Sequence, residues 1–197
     1  MAHARIYLAG PEVFLPDADV AGAAKAALCA RHGFQGLFPL DAALDLSGLA
    51  KSEQALRISA ANEGLVRSCD ALIANLTPFR GVSMDSGTAF EVGFMRALGR
   101  PVLGYTNVLA DYRERAEAYR RAAPGLPEAD APDIQIEDFD GAENLMIEIA
   151  IAASGGSIVR KAVARGQEMR DLNGFETCLL QARTHFASKP NCGIIPA

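Results

Sequence analysis

No phosphate-cradling glycine loop is present in this 197-residue chain. Neither G-x-G-x-x-G after the first apolar run nor G-x-x-x-x-G-K-[ST] occurs. Cys29, Cys69, Cys178 and Cys192 form no C-x-x-C pair, and His3, His32 and His185 are equally scattered. No zinc or haem site can be written from them, so the thiols are expected reduced and mostly buried. A basic excess is also missing: the net charge is -5, which argues against a nucleic-acid backbone or an anionic membrane as partner. No apolar run approaches the roughly 18 residues of a membrane helix. The start, Met1-Ala2-His3-Ala4-Arg5, passes at once into a short strand pattern instead of a signal-peptide core, so a cytoplasmic protein is expected. Internal repeats and low-complexity runs are absent.

What is present suits an ordinary globule: 50% of residues are hydrophobic and 22% charged. One domain over residues 1–197 is expected. Arg5–Ala9 reads as a buried strand ended by Gly10-Pro11, and Gly33–Leu40 and Asp70–Leu76 as the second and third strands. Pro101–Tyr105 reads as the fourth, and Ile134-Gln135-Ile136 as a short fifth. Between them lie helical patterns: Pro16–Arg31, with Val20, Ala24 and Leu28 in register, then Ser52–Ser68, and a charged helix over Asp111–Ala122. Asp41–Leu49 reads as irregular. Ala123–Pro132 carries three prolines and reads as a loop; Ala142–Ala153 and Ile158–Ser188 read as helices broken at Gly155-Gly156. Apolar strands alternating with helices predict a parallel, doubly wound α/β sheet of about five strands with helices on both faces. In such a sheet the ligand site lies beyond the strands' carboxyl ends. That places Gly10-Pro11-Glu12, Thr77–Asp85 and the helix bearing Glu91 at one cleft.

Asp85 and Glu91 are the charges to explain. Within one helix, six residues apart, they would diverge by about 240°. They converge only if Asp85 precedes the helix and Glu91 points back from its first turns, with Gly87 permitting the break. The competing reading is a capping box over Thr88-Ala89-Phe90-Glu91, with Asp85 a plain cap. Tyr7 is either a core phenol or a donor to a nucleophilic carboxylate. Thr77-Pro78-Phe79-Arg80-Gly81 is a rigid loop with one cation, either a surface turn or a binding loop. Phe14 and Phe79 offer aromatic faces to a flat ligand unless they serve as core. Asn62, taken alone, reads as a solvent-facing helix residue. Pro11 supplies no amide and Glu12 repels anions, which argues against a nucleotide phosphate there.

Ile6–Pro11, Asp70–Gly81, Asp85–Gly93 and Glu143-Asn144-Leu145-Met146, in this order and spacing, together resemble nucleoside 2-deoxyribosyltransferases. The likeness is to the branch found in trypanosomatids and some bacteria, and covers about residues 4–150. The helical extension over 151–197 has no assigned role. The resemblance implies a flavodoxin-like (Rossmann-like) fold and transfer of a 2-deoxyribosyl group between nucleobases. It implies Glu91 as nucleophile, Asp85 as the carboxylate handling the base's proton, and Tyr7 as the residue orienting Glu91. Asn62 falls where some members carry aspartate and this branch asparagine, with a part in base contact or proton handling. Asn144 matches an asparagine that binds the sugar 5′-hydroxyl in a neighbouring subunit's site, which implies a homo-oligomer. No cofactor is implied.

The matching chemistry is that of a retaining glycosidase, whose two carboxyl groups lie about 5–5.5 Å apart. Glu91 would trap the oxocarbenium-like sugar as an ester, while Asp85 protonates the leaving base. Water is a competing acceptor, so slow hydrolysis accompanies transfer. Two other readings stand beside it. One is an N-glycoside hydrolase acting on nucleosides or their monophosphates, since Gly87-Thr88-Ala89-Phe90-Glu91 also resembles the GTxxE ending of phosphoribohydrolases. The other is a non-catalytic nucleotide-sensing module.

Overall fold

Isoleucine, tyrosine, leucine and alanine succeed one another in β1 (Ala4–Ala9) because both of its faces are covered. The computed structural model describes residues 3–42, 44–122 and 134–188. The remaining strands are β2 (Phe34–Leu37), β3 (Ala71–Asn75), β4 (Val102–Thr106) and β5 (Ile158–Arg160). The helices are α1 (Ala18–Arg31), α2 (Lys51–Ser68), α3 (Ser86–Ala97), α4 (Tyr112–Ala122), α5 (Leu145–Ala153) and α6 (Asn173–Ser188). The five strands form one sheet in the order β2-β1-β3-β4-β5, and every pair is parallel. This is the doubly wound, flavodoxin-like α/β fold.

Period-two alternation divides β1 between two cores. Ile6 and Leu8 pack with Leu28 and Cys29 of α1 and with Phe175, Cys178 and Leu179 of α6. Tyr7 and Ala9 face the other way, toward Val66 of α2, Val92 and Met95 of α3 and Ile151 of α5. The strand order reverses between β1 and β3. Their connections leave on opposite faces, so a crevice opens at their carboxyl ends. Tyr7, paired with Leu72 in register, lies just below it on the α3 side.

Three expectations fail for identifiable reasons. Ile134-Gln135-Ile136 is not a strand. A parallel neighbour for β4 needs a covering crossover first, and the apolar α5 supplies it, so the fifth strand is Ile158–Arg160. The helix expected from Ile158 accordingly starts only at Asn173. In α1 the inward face is Ala18, Gly22, Lys25, Leu28 and Cys29, whereas Val20 is 65% exposed. Alanine contributes so little contrast that the helix has no strong apolar stripe to read. The segment Ala123–Pro132 and Cys192 lie outside the described residues. Within the described residues no helix is long and apolar enough to cross a membrane, and no cluster of three or more His, Cys, Asp or Glu could hold a metal ion.

Candidate active site

Glu91 projects from the second turn of α3 toward β1, where the Tyr7 hydroxyl donates to its Oε1 at 2.5 Å. The partners are 84 residues apart in sequence, joined because β1 lies under α3. The capping-box alternative fails, since the helix begins at Ser86 and its N-cap is Asp85. Asp85 is extended (φ -60°, ψ 135°), so it makes the break itself, and Gly87 lies within the first turn. Asp85 Oδ2 accepts from the Thr88 amide at 3.0 Å and from its hydroxyl at 3.2 Å. Oδ1 has no partner among the described residues. Asp85 is thus both a cap and a charge beside Glu91.

Burial raises the Glu91 carboxyl to about 7; the Tyr7 bond opposes this, and the Asp85 charge adds to it. Burial, followed by the Glu91 charge, holds the Tyr7 phenol far above its ordinary range, so it remains a donor. A nucleophilic role needs the Glu91 carboxylate, so activity is expected to rise with pH through about 7. Tyr7→Phe removes the one interaction that favours the ionised form. The acid limb of the kcat/KM profile is then expected to move to higher pH. An unmoved limb would show that Glu91 does not govern it.

A groove of about 440 Å³ runs along α2 and α3 beside Glu91. Ala55, Ile58, Asn62, Gly87, Phe90 and Phe94 line it with Glu91, so Asn62 is a wall of the cleft, in the same groove as the carboxylate. Ile58, Asn62 and Val66 line the groove from α2, with Ile58 exposed at its outer end and Val66 buried at its inner one. On the loops, Phe14 and Phe79 stack on each other with centroids 5.4 Å apart and planes 11° apart. The Arg80 guanidinium lies over both rings, at 4.7 and 4.6 Å. Arg80 takes a positive φ of 56°, next to exposed Gly81, and Pro78 is half-buried.

Gly10 and Pro11 are buried and are not among the residues that line the groove beside Glu91. Gly10 is required because a Cβ there would lie 2.0 Å from Glu12 Oε2. Glu12 does not face a ligand. It turns inward, 1% exposed, ion-paired with wholly buried Lys25. Its Oε1 also accepts from Asn75 Nδ2 and the Tyr105 hydroxyl, each at 2.9 Å. The electrostatic objection to a phosphate near strand β1 therefore lapses; the missing Pro11 amide remains. Sequence reasoning missed this network, although a lone lysine within Ala23-Ala24-Lys25-Ala26-Ala27 was its signal. Asn144 is not brought to Glu91 within the chain. It caps α5, accepting from the Met146 amide at 3.0 Å and donating to Glu137 at 2.7 Å.

A family model described as nucleoside 2-deoxyribosyltransferase matches residues 6–146. The chain belongs to that family. The match runs from within β1 to the start of α5 and contains Tyr7, Asp85, Glu91 and Asn144; β5 and α6 follow it. The chain is similar to the 2-desoxiribosyltransferase from Leishmania mexicana: 31% identity, TM-score 0.57, 73% of this chain and 85% of that one. An uncharacterized protein of Schizosaccharomyces pombe is 33% identical over 169 residues, 78% of this chain and 79% of that protein. A conserved protein from Enterococcus faecalis V583 shares the fold at 21% identity and TM-score 0.54, over 92% of this chain and 99% of that one.

Proposed function

We propose that this chain exchanges the base of a 2′-deoxynucleoside through a covalent deoxyribosyl ester on Glu91. The observation that carries the reading is the Tyr7–Glu91 bond beside an open groove. Tyr7 holds Oε1, and Oε2 has no partner among the described residues. In the first half-reaction that oxygen forms a bond to C1′ as the C1′–N bond breaks, and Asp85 in its acid form gives a proton to the departing base. In the second, a nitrogen of the incoming base attacks C1′. The ester bond returns its electron pair to Glu91, and Asp85 takes the new base's proton. Asn62 is assigned to base contact, and Pro78, Phe79, Arg80, Gly81 and Phe14 to the loop wall, with the stacked rings offering a face to the base.

The helix layer carrying Glu91 leaves Leu56, Phe90, Met146 and Ile149 at least 60% exposed, on α2, α3 and α5. That favours a second copy against this layer, with Asn144 at its rim binding the neighbour's sugar. The Asn144 side chain keeps one amide hydrogen to give, since its other contacts are internal. Light scattering that returned a monomer at assay concentration would remove this part.

Incubation with deoxyinosine and adenine is expected to yield deoxyadenosine, with an intact-protein mass increased by one deoxyribosyl group mapping to Glu91. Hypoxanthine and free deoxyribose alone would instead make the chain a hydrolase. No turnover of either kind would favour the sensing module.

A further inference from the structure

Asp85 stands at the mouth of α3, so the loop before it sets where its carboxyl points. That loop is gripped by a buried carboxylate from a distant part of the chain. Glu143 is 2% exposed; its Oε1 accepts from Ser83 Oγ at 2.6 Å and its Oε2 from the Met84 amide at 3.0 Å. Oε1 also accepts from the Asn144 amide at 3.0 Å. Arg115 closes the grip from α4. Its Nε donates to the Val82 carbonyl at 2.7 Å and its Nη2 to the Ala142 carbonyl at 2.8 Å, and Nη2 lies 3.5 Å from Glu143 Oε2. Val82, Ser83 and Met84 are therefore each held, in the three positions immediately before Asp85. Burying a carboxylate and a guanidinium is unfavourable for stability alone, and two apolar side chains would fill this space more cheaply. What an ion pair adds is direction, because each donor and acceptor is met at a fixed angle.

We propose that Glu143 is a positioning residue for Asp85, acting through the Ser83–Met84 backbone, with Arg115 orienting Glu143 in turn. The inference rests on the part given to Asp85 in the proposed reaction. Proton transfer to a leaving base needs donor and acceptor within hydrogen-bond reach, and a misplacement of about 1 Å can cost about 100-fold in rate. A positioning role therefore matters only to leaving groups that need the proton.

The test compares two donors, 2′-deoxyguanosine and 7-methyl-2′-deoxyguanosine, by the single-turnover rate of base release with no acceptor added, because Asp85 takes the acceptor's proton in the second half-reaction whichever donor is used. The methyl group at N7 already gives the base a positive charge, so it departs neutral without protonation. Glu143→Gln keeps the side-chain volume but replaces one acceptor by an NH₂ group, which must face an amide N–H or the Ser83 hydroxyl. With 2′-deoxyguanosine the release rate at saturating donor is expected to fall about 10- to 100-fold, with the donor concentration needed for half-saturation little changed. With the 7-methyl donor the release rate stays at the wild-type value. Equal losses on both donors, or no loss on either, overturn the proposal. If Glu143→Gln does not fold, Ser83→Ala, which cuts only the Ser83 bond, must show the same donor dependence. Wild-type protein that uses neither donor defeats the transferase reading instead. The grip then stands or falls on amide hydrogen exchange: faster exchange at Met84 in Glu143→Gln supports it, and wild-type exchange there overturns it.

Discussion

Glu91→Gln should leave a protein that no longer exchanges bases and yet melts at a higher temperature than the wild type at pH 8. Loss of a nucleophile whose partners act as a unit typically lowers kcat by about 10⁴-fold or more. The mass adduct should vanish with it. The stability gain follows from the carboxyl's surroundings. Its folded-state value is raised to about 7 from 4.5, chiefly by burial, so between those values the folded protein holds a proton that the unfolded chain has released. The folded state binds more protons there, and stability falls as pH rises through that window, with the full penalty reached above about 7. Each unit corresponds to about 1.4 kcal/mol, giving roughly 1–3 kcal/mol once solvent screening at the partly buried carboxyl is allowed for. For a chain of this size that is about 2–10 °C. Glutamine keeps the shape and can still accept from Tyr7, but carries no charge at any pH. Melting curves between pH 4.5 and 8 check it: the variant's advantage should be small at the acid end and grow toward neutrality. Curves that run parallel would show that Glu91 is not destabilised by its site, and would take away the source of its reactivity.

The same tension explains which parts of the site were legible beforehand. Tyr7 and Glu91 each break a local rule, a phenol inside an apolar strand and an acid just past a buried one. Such breaks are visible without a structure. The third strand and the loop after it are equally plain, because a parallel strand covered on both faces is an uninterrupted apolar run. Their mutual contact is not local, and neither is the position of Asn62. Its inward turn depends on which row of α2 meets α3. Gly87 and the Thr88–Glu91 spacing misled because start signals overlap there: a cap at Asp85 and one at Thr88 read alike, and tertiary contact with Tyr7 decides between them. The fifth strand was misplaced because Ile134–Ile136 and Ile158–Arg160 have similar local character. Only the covering helix α5, interposed between them, selects the second. Glu12 was read as a charge facing the cleft because nothing nearby in sequence neutralises it. Its partner is a helix residue whose apolar neighbours concealed its direction.

That hidden pair carries the largest expected effect on stability. Lys25→Met should destabilise the protein by about 3–5 kcal/mol, because it leaves Glu12 as an uncompensated charge in the interior. Lys25 is wholly buried and Glu12 is 1% exposed, so water cannot replace the missing partner without a local opening. The Lys25 ammonium also lies 5.5 Å from the centre of the Tyr105 ring and 5.4 Å from that of Phe175, contacts that a thioether replaces only in part. The donors from Asn75 and Tyr105 remain, which sets the effect toward the lower end of the range. Adding Glu12→Gln to Lys25→Met should recover most of the loss, since a neutral amide keeps the hydrogen bonds and removes the stranded charge. Urea unfolding of the single and double variants measures both numbers, and the difference is the coupling between the two residues. If Lys25→Met alone costs less than about 1 kcal/mol, the ion pair contributes nothing that packing does not. If the double variant is as unstable as the single one, the loss comes from the cavity left by lysine and not from its charge. Recovery of stability in the double variant would also isolate a second consequence. Glu12 fastens the Pro11–Phe14 turn to β3 and β4 at the floor of the cleft. A refolded double variant with a raised KM would therefore trace the damage to the aromatic wall that this turn carries, with Tyr7 and Glu91 left in place.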